Sequence, residues 1–290
     1  MSGPNSKNPG TEFITGNVSI ATNDAMTNII PVHFTYVTAT TKNGGTNSTF
    51  TYLKNIIDGI IGNVMADGID KAGKLSIDSA LGLNEFFTDR NGKEELVSAK
   101  RNEGGFIHKI DVLKAEELRN TFKTDMIITR AVRTEADDEK GIPEKMTLRG
   151  CIFDFRNALL PVEYTVLDAG AMNYFESLEP SQTNPIFTCV WGRQTSEVVV
   201  KRIVEESAFG EDSVREVSNK RKDFIITGAA KVPFEWDDES TITVAEFTKA
   251  IADRETYLAT LKQRQDEYKA SKAKATPAPA VASTNQGFNF

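Results

Sequence analysis

The chain has 290 residues, 39% of them hydrophobic and 9% aromatic, which is enough for one elaborated domain or two modest ones with a real core. A net charge of −7 excludes a protein that coats nucleic acid through bulk positive potential, while leaving room for a local basic groove. No run approaches the roughly 20 apolar residues of a membrane span, and the first residues, MSGPNSKNPGTEF, lack the pattern of a signal peptide; the expected compartment is cytoplasmic, in a bacterium or a phage-infected host cell. Two cysteines, Cys151 and Cys189, agree with reducing surroundings.

Residues 1–12 read as a disordered lead-in and 13–240 as a β-rich body, with a subdivision near 90–104. Residues 13–21 form a strand, with Gly16 marking a bulge. Residues 29–41 form a longer strand in which Val32, Phe34 and Tyr36 alternate against His33, Thr35 and Val37. Asn43, Gly44 and Gly45 then make a turn, and 49–57 is expected to return as the antiparallel partner. Glycine-punctuated residues 58–95 predict loops, a short helix or two, and a strand at 74–77. Further strands are expected at 96–100, 105–110 and 123–134, with a brief helix at 114–120. An acidic tip over 135–144 joins 123–134 to a strand at 145–156. A strand at 160–167, a helix at 169–178 capped by Asp168, and strands at 185–191, 196–206 and 222–228 complete the body.

Thr243 and Glu246 form a capping box at the start of a helix over 241–274. Phe247, Ile251, Leu258 and Leu261 make its apolar stripe, so the first half docks on the body and 263–274 projects into solvent. Residues 275–290 are a Pro/Ala/Ser/Thr tether, extended and mobile, ending in an aromatic tip whose Phe288 and Phe290 are candidate anchors for a partner protein.

This order of elements predicts an α+β, β-rich fold: an OB-like Greek-key barrel, or barrels, with a C-terminal helix and a disordered tail. A β-sandwich is the alternative. Barrel body, acidic balance, low-complexity tether and phenylalanine-bearing tip together resemble the OB-fold single-stranded-DNA-binding proteins of bacterial and phage replication. The resemblance implies base stacking and phosphate contacts on the barrel, with replication or recombination proteins recruited by the tip. The tip Asn285-Gln286-Gly287-Phe288-Asn289-Phe290 lacks the acidic run usual in that family.

A single strand is held by bases stacked on aromatic rings and by Lys and Arg along its phosphates, so the candidates are aromatic and basic residues sharing an exposed face. Basic clusters lie at Lys100 and Arg101, 130–133, 201–202 and 220–222. Trp191, at a strand end with Arg193, is the preferred stacking residue. Tyr52 with Lys54, and Phe106 with His108 and Lys109, are further pairs. In 149–156, Arg149, Cys151, Phe153 and Phe155 share a face by parity and Arg156 follows; a barrel-core role for Phe153 and Phe155 is the competing reading.

Catalytic constellations are absent from the pattern. His33 and His108 lie at no ligand spacing from each other or from a cysteine, there is no phosphate-binding glycine loop, and the carboxylate runs sit in polar loops. The expectation is a non-catalytic protein without metal or cofactor; the rival class is a phage structural or assembly protein, or a β-rich adaptor.

Overall fold

A computed structural model describes residues 1, 3, 9–136, 143–205, 207, 209–210, 213–237 and 241–274. Strands β1 (Phe13–Ala21), β2 (Ile29–Thr38), β3 (Leu75–Arg90) and β4 (Lys93–Lys109) form a four-stranded sheet in the order β1-β2-β4-β3. All pairings in it are antiparallel except β2 with β4, and the register shifts at Gly16 as the glycine there suggests. Between β2 and β3 lie α1 (Ser48–Ile57) and α2 (Val64–Asp67).

The rest of the body is a closed barrel. Strands β5 (Thr121–Thr134), β6 (Lys145–Phe153), β7 (Leu159–Val166), β8 (Ile186–Glu205) and β9 (Ser213–Ala229) close in the order β5-β6-β7-β9-β8, with α3 (Ala169–Ser177) between β7 and β8. One parallel pairing, β7 with β9, and a helix after the third strand make this the OB-like Greek-key arrangement rather than a sandwich. Inward residues fill it, among them Met126, Leu148, Ile152, Tyr164, Val190 and Phe224, and α3 plugs the core with Met172 and Phe175. Asp168 Oδ1 caps α3 by accepting from the Ala171 amide at 2.8 Å. Closure depends on two glycines where backbones nearly touch: a Cβ at Gly150 would lie 1.9 Å from Ile127 O, and one at Gly192 1.9 Å from Ile225 O. The register shifts beside both, which bends the strands round the barrel.

Several expected elements differ. Residues 49–57 are a helix, not the partner of β2, because Asn47 Oδ1 accepts from the Thr49 amide and Phe50 and Leu53 bury one helical face. The expected strand at 74–77 is the start of the 16-residue β3, 96–100 and 105–110 are one strand, and 185–191 and 196–206 are one strand. Only Glu116–Leu118 of the helix at 114–120 forms, as a 3₁₀ turn. Sheet gives way to barrel across 110–120, whereas 90–104 lies inside the β3–β4 hairpin. The acidic tip at 137–142 and the tether at 275–290 lie outside the described residues.

Helix α4 (Val244–Lys274) starts at the expected box: Glu246 Oε2 accepts from the Thr243 amide at 2.9 Å, and Thr243 Oγ1 accepts from the Glu246 amide at 3.1 Å. Its inward face is Phe247, Ala250, Arg254, Leu258, Leu261 and Gln265, and Ile251 is exposed. Two polar residues therefore lie on the packing face. Arg254 Nη2 meets Glu85 Oε1 at 2.5 Å and its Nη1 donates to Leu159 O at 3.3 Å, tying β3, β7 and the helix together. Gln265 completes the unpaired edge of β3: its Oε1 accepts from the Phe87 amide and its Nε2 donates to Phe87 O. Lys262 and Lys269 both pair with Glu94. The second half of the helix thus lies along the β3–β4 hairpin instead of projecting into solvent. No helix among the described residues is long and apolar enough to cross a membrane.

The Glu85 side chain is 2% exposed and that of Arg254 13%, so removing one partner strands a buried charge. Arg254→Met is expected to destabilise the protein by about 3–5 kcal/mol in urea unfolding, and Glu85→Leu in the same background is expected to recover most of the loss. A double variant whose loss equals the sum of the two single losses would show that the pair does not couple.

Candidate nucleic-acid interface

The outer face of the barrel over β5, β8 and β9 carries the preferred stacking residue. Lys123 of β5, Trp191 of β8 and Gly228 of β9 are register neighbours, as are Thr121 and Arg193. The Trp191 ring lies over Gly228, where an added Cβ would meet its Nε1 at 2.3 Å, so glycine is what lets the indole lie flat along the strand. Trp191 remains 40% exposed. It lines a groove of about 470 Å³ with Leu118, Lys123, Arg193 and Thr227. Lys123 and Arg193 have no carboxylate partner among the described residues. One exposed indole between two unpaired cations is the combination that stacking and phosphate contact require. Lys123 escaped the sequence reading because only strand register puts it beside Trp191; its place at the start of a strand was the available signal.

Most other candidates are used elsewhere. Arg149 pairs with Glu163 at 2.7 Å across β6 and β7, and Arg101 with Glu103 at 2.6 Å. Tyr52 and Lys54 are on α1, where two positions apart means opposite sides; Tyr52 packs on the core of the sheet and Lys54 pairs with Asp58. Phe106 is 64% exposed on β4 beside His108, whose Nε2 lies 3.6 Å from Asp78 Oδ2, and Lys109 is exposed at the strand end. That patch belongs to the sheet, away from Trp191.

Arg149, Cys151 and Phe153 do share the outer barrel face, but Phe153 is neither in the barrel interior nor free. It packs with Ile127, Cys151 and Phe187 beneath Phe234, Trp236 and Phe247, so the segment entering α4 seals this part of the barrel. Phe155 lies beyond the strand end and is 82% exposed, with the Arg156 guanidinium 4.9 Å from its ring centroid. Phe288, Phe290, and the basic residues 201–202 and 220–221 fall where no side-chain placement is described. Burial pushes the Cys151 thiol up to about 12, and Cys189 is raised as well by burial and by Asp125, so both remain protonated thiols at neutral pH.

Lys100 reaches from β4 into the barrel mouth. Its Nζ donates to Glu163 O at 2.6 Å and lies 5.4 Å from the Phe224 centroid and 5.9 Å from that of Tyr164. It joins sheet to barrel and is not placed to touch a phosphate on the Trp191 face. Burial holds its ammonium below the ordinary lysine pKa of 10.5, against the opposing pull of Glu163 and Asp223. A depressed lysine binds fewer protons in the folded state, so its contribution to stability grows as pH rises towards 10.5. Lys100→Met is expected to flatten that rise, measured as urea-unfolding free energy at pH 7, 8.5 and 10; an unchanged pH slope would show that burial does not depress this lysine.

No curated protein and no solved structure matches the chain at a significant level. A family model described as YorF matches residues 2–264, which takes in the sheet, the barrel and much of α4. The chain belongs to the YorF family.

Proposed function

We propose that this protein is a non-catalytic single-stranded-DNA-binding protein of phage replication or recombination, acting in the cytoplasm of the infected cell. The observation that carries the reading is the Trp191 groove: a part-exposed indole lying over Gly228, flanked by Lys123 and Arg193, on the outside of an OB-like barrel. Stacking uses an unpaired base face, so a single strand is the substrate and a duplex is not. Phe288 and Phe290 at the end of the tether recruit replication or recombination proteins, a role supported by the sequence alone. A second reading, an assembly or adaptor protein, is favoured by Ile57, Ile60, Met65 and Ile69, each more than 60% exposed around α1 and α2.

Fluorescence anisotropy with labelled oligo-dT tests the first reading. Binding is expected to weaken with salt, the logarithm of affinity falling by about 0.7 per phosphate contact for each log unit of salt. Lys123→Ala and Arg193→Ala should each lower that slope by about 0.7, whereas Arg101→Ala and Arg149→Ala, which remove already paired cations, should leave it unchanged. Salt-independent binding, or none at low salt, favours the assembly reading.

Trp191→Ala is expected to weaken oligo-dT binding by about 1–3 kcal/mol with little change in melting temperature, and the strand should quench Trp191 fluorescence in the parent protein. Early melting with unchanged affinity would make Trp191 a structural residue.

A further inference from the structure

A second cavity, of about 600 Å³, lies between the four-stranded sheet and the end of the barrel. It adjoins the Trp191 groove across a shared lining of Leu118, Thr121, Phe122 and Lys123. Its barrel side is aromatic: Phe122 packs on Tyr164 and Phe224 with ring centroids 5.2 and 5.4 Å away, and because those two rings are buried beneath Lys100, Phe122 is the one of the three left part-exposed to the cavity. Phe155 and Val112, both more than 80% exposed, stand at its edge.

The polar lining is an arrangement of amides. Asn102 is 8% exposed, and its Nδ2 donates to Pro31 O at 3.2 Å and to Gln194 Oε1 at 3.0 Å, which fixes the orientation of both groups. Asn120 Nδ2 donates to Gln194 O at 2.7 Å. Asn102 Oδ1, Asn120 Oδ1 and Gln194 Nε2 are left without a hydrogen bond to any described residue, and all three residues line the cavity. Acceptors and a donor that line one cavity with the Phe122 ring match the edge and face of a nucleobase, the pairing by which Asn and Gln read bases. A purely apolar ligand would leave these amide atoms unpaired.

We infer that this cavity is a nucleobase-binding site, in which one unstacked base lies against Phe122 with its polar edge on Asn102 and Gln194. The inference rests on the strand-binding reading above, because the base is delivered by a strand that runs from the Trp191 groove past Phe122 and Lys123. It adds base readout to a groove that otherwise senses only stacking and charge.

The test uses the full chain labelled with nitrogen-15, reading the side-chain amide signals of Asn102 and Gln194 and the indole signal of Trp191 as dT15, or dTMP at millimolar concentration, is added. With dT15 all three are expected to shift. Ala80→Leu fills the cavity from β3 without touching the amides, and should weaken dT15 binding about ten-fold while the Trp191 signal still moves at saturation. Gln194→Glu keeps the acceptor for Asn102 and removes the donor; it should lose a similar factor. Amide shifts with dT15 alone assign the base to a bound strand, and shifts with dTMP as well assign the site to free nucleotides too; both support a base site. Trp191 shifting while the amides stay still, with parental affinity in both variants, overturns the inference and leaves the groove standing. Amides that shift while Trp191 does not keep the base site and sink the groove.

Discussion

Gln194 is the residue on which the two halves of the molecule meet. It is the first position of β8 past the pairing with β5, which ends at Arg193. Its carbonyl accepts from Asn120 Nδ2 and, at 3.3 Å, from Asn28 Nδ2; its amide donates to Asn120 O at 2.9 Å; its side-chain oxygen accepts from Asn102. Asn28 in turn accepts from the Ser196 amide at 2.6 Å. Each such bond contributes only about 0.5–1.5 kcal/mol net, but a buried amide left without a partner costs the full desolvation of that group, so the network punishes any other docking of sheet on barrel. Apolar packing is tolerant of small slides; a set of directional bonds to both faces of one residue is not.

That docking decides which barrel surface is open. The outer face around Ile127, Cys151 and Phe187 is apolar and is covered by Phe234, Trp236 and Phe247, while Arg254 and Glu85 pin the following helix to β3. Lys100 and the aromatic triad occupy the barrel mouth. The β5–β8–β9 face with Lys123, Trp191 and Arg193 is left uncovered, as is the Arg149–Glu163 pair on β6 and β7. The location of the groove is thus a consequence of where the chain covers itself.

Local signals were legible in the sequence and long-range ones were not. Asp168 before α3, the Thr243–Glu246 box and the Gly16 bulge each act within a few residues, and each is where the pattern put it. The barrel order was readable because a helix between the third and fourth strands leaves few ways to close. Residues 49–57 were misread because Thr, Phe, Tyr and Ile favour strands in isolation, and the decisive Asn47 cap sits before the segment, beside a glycine turn that suggested a hairpin. Gln265 was expected in solvent and Arg254 was not counted in the apolar stripe, because their partners, Phe87 and Glu85, are 178 and 169 residues away. The same limit applied to the site: Trp191 and Arg193 are two apart on one strand and share a face by parity, but Lys123 comes from another strand and Arg149 is neutralised by Glu163 on a third.

Net charge is a poor guide here because several cations are already committed. Arg101, Arg133, Arg149, Arg254, Lys262 and Lys269 each face a carboxylate, so their fields are cancelled at short range. Lys123 and Arg193 face no carboxylate partner among the described residues, so the local potential beside Trp191 is set by position and not by the total charge. Exposed pairs add little to stability in water, a few tenths of a kcal/mol up to about 1 kcal/mol each. Their larger physical effect is to neutralise basic surface locally, which leaves Lys123 and Arg193 distinguished by their neighbour, an exposed indole, rather than by charge alone.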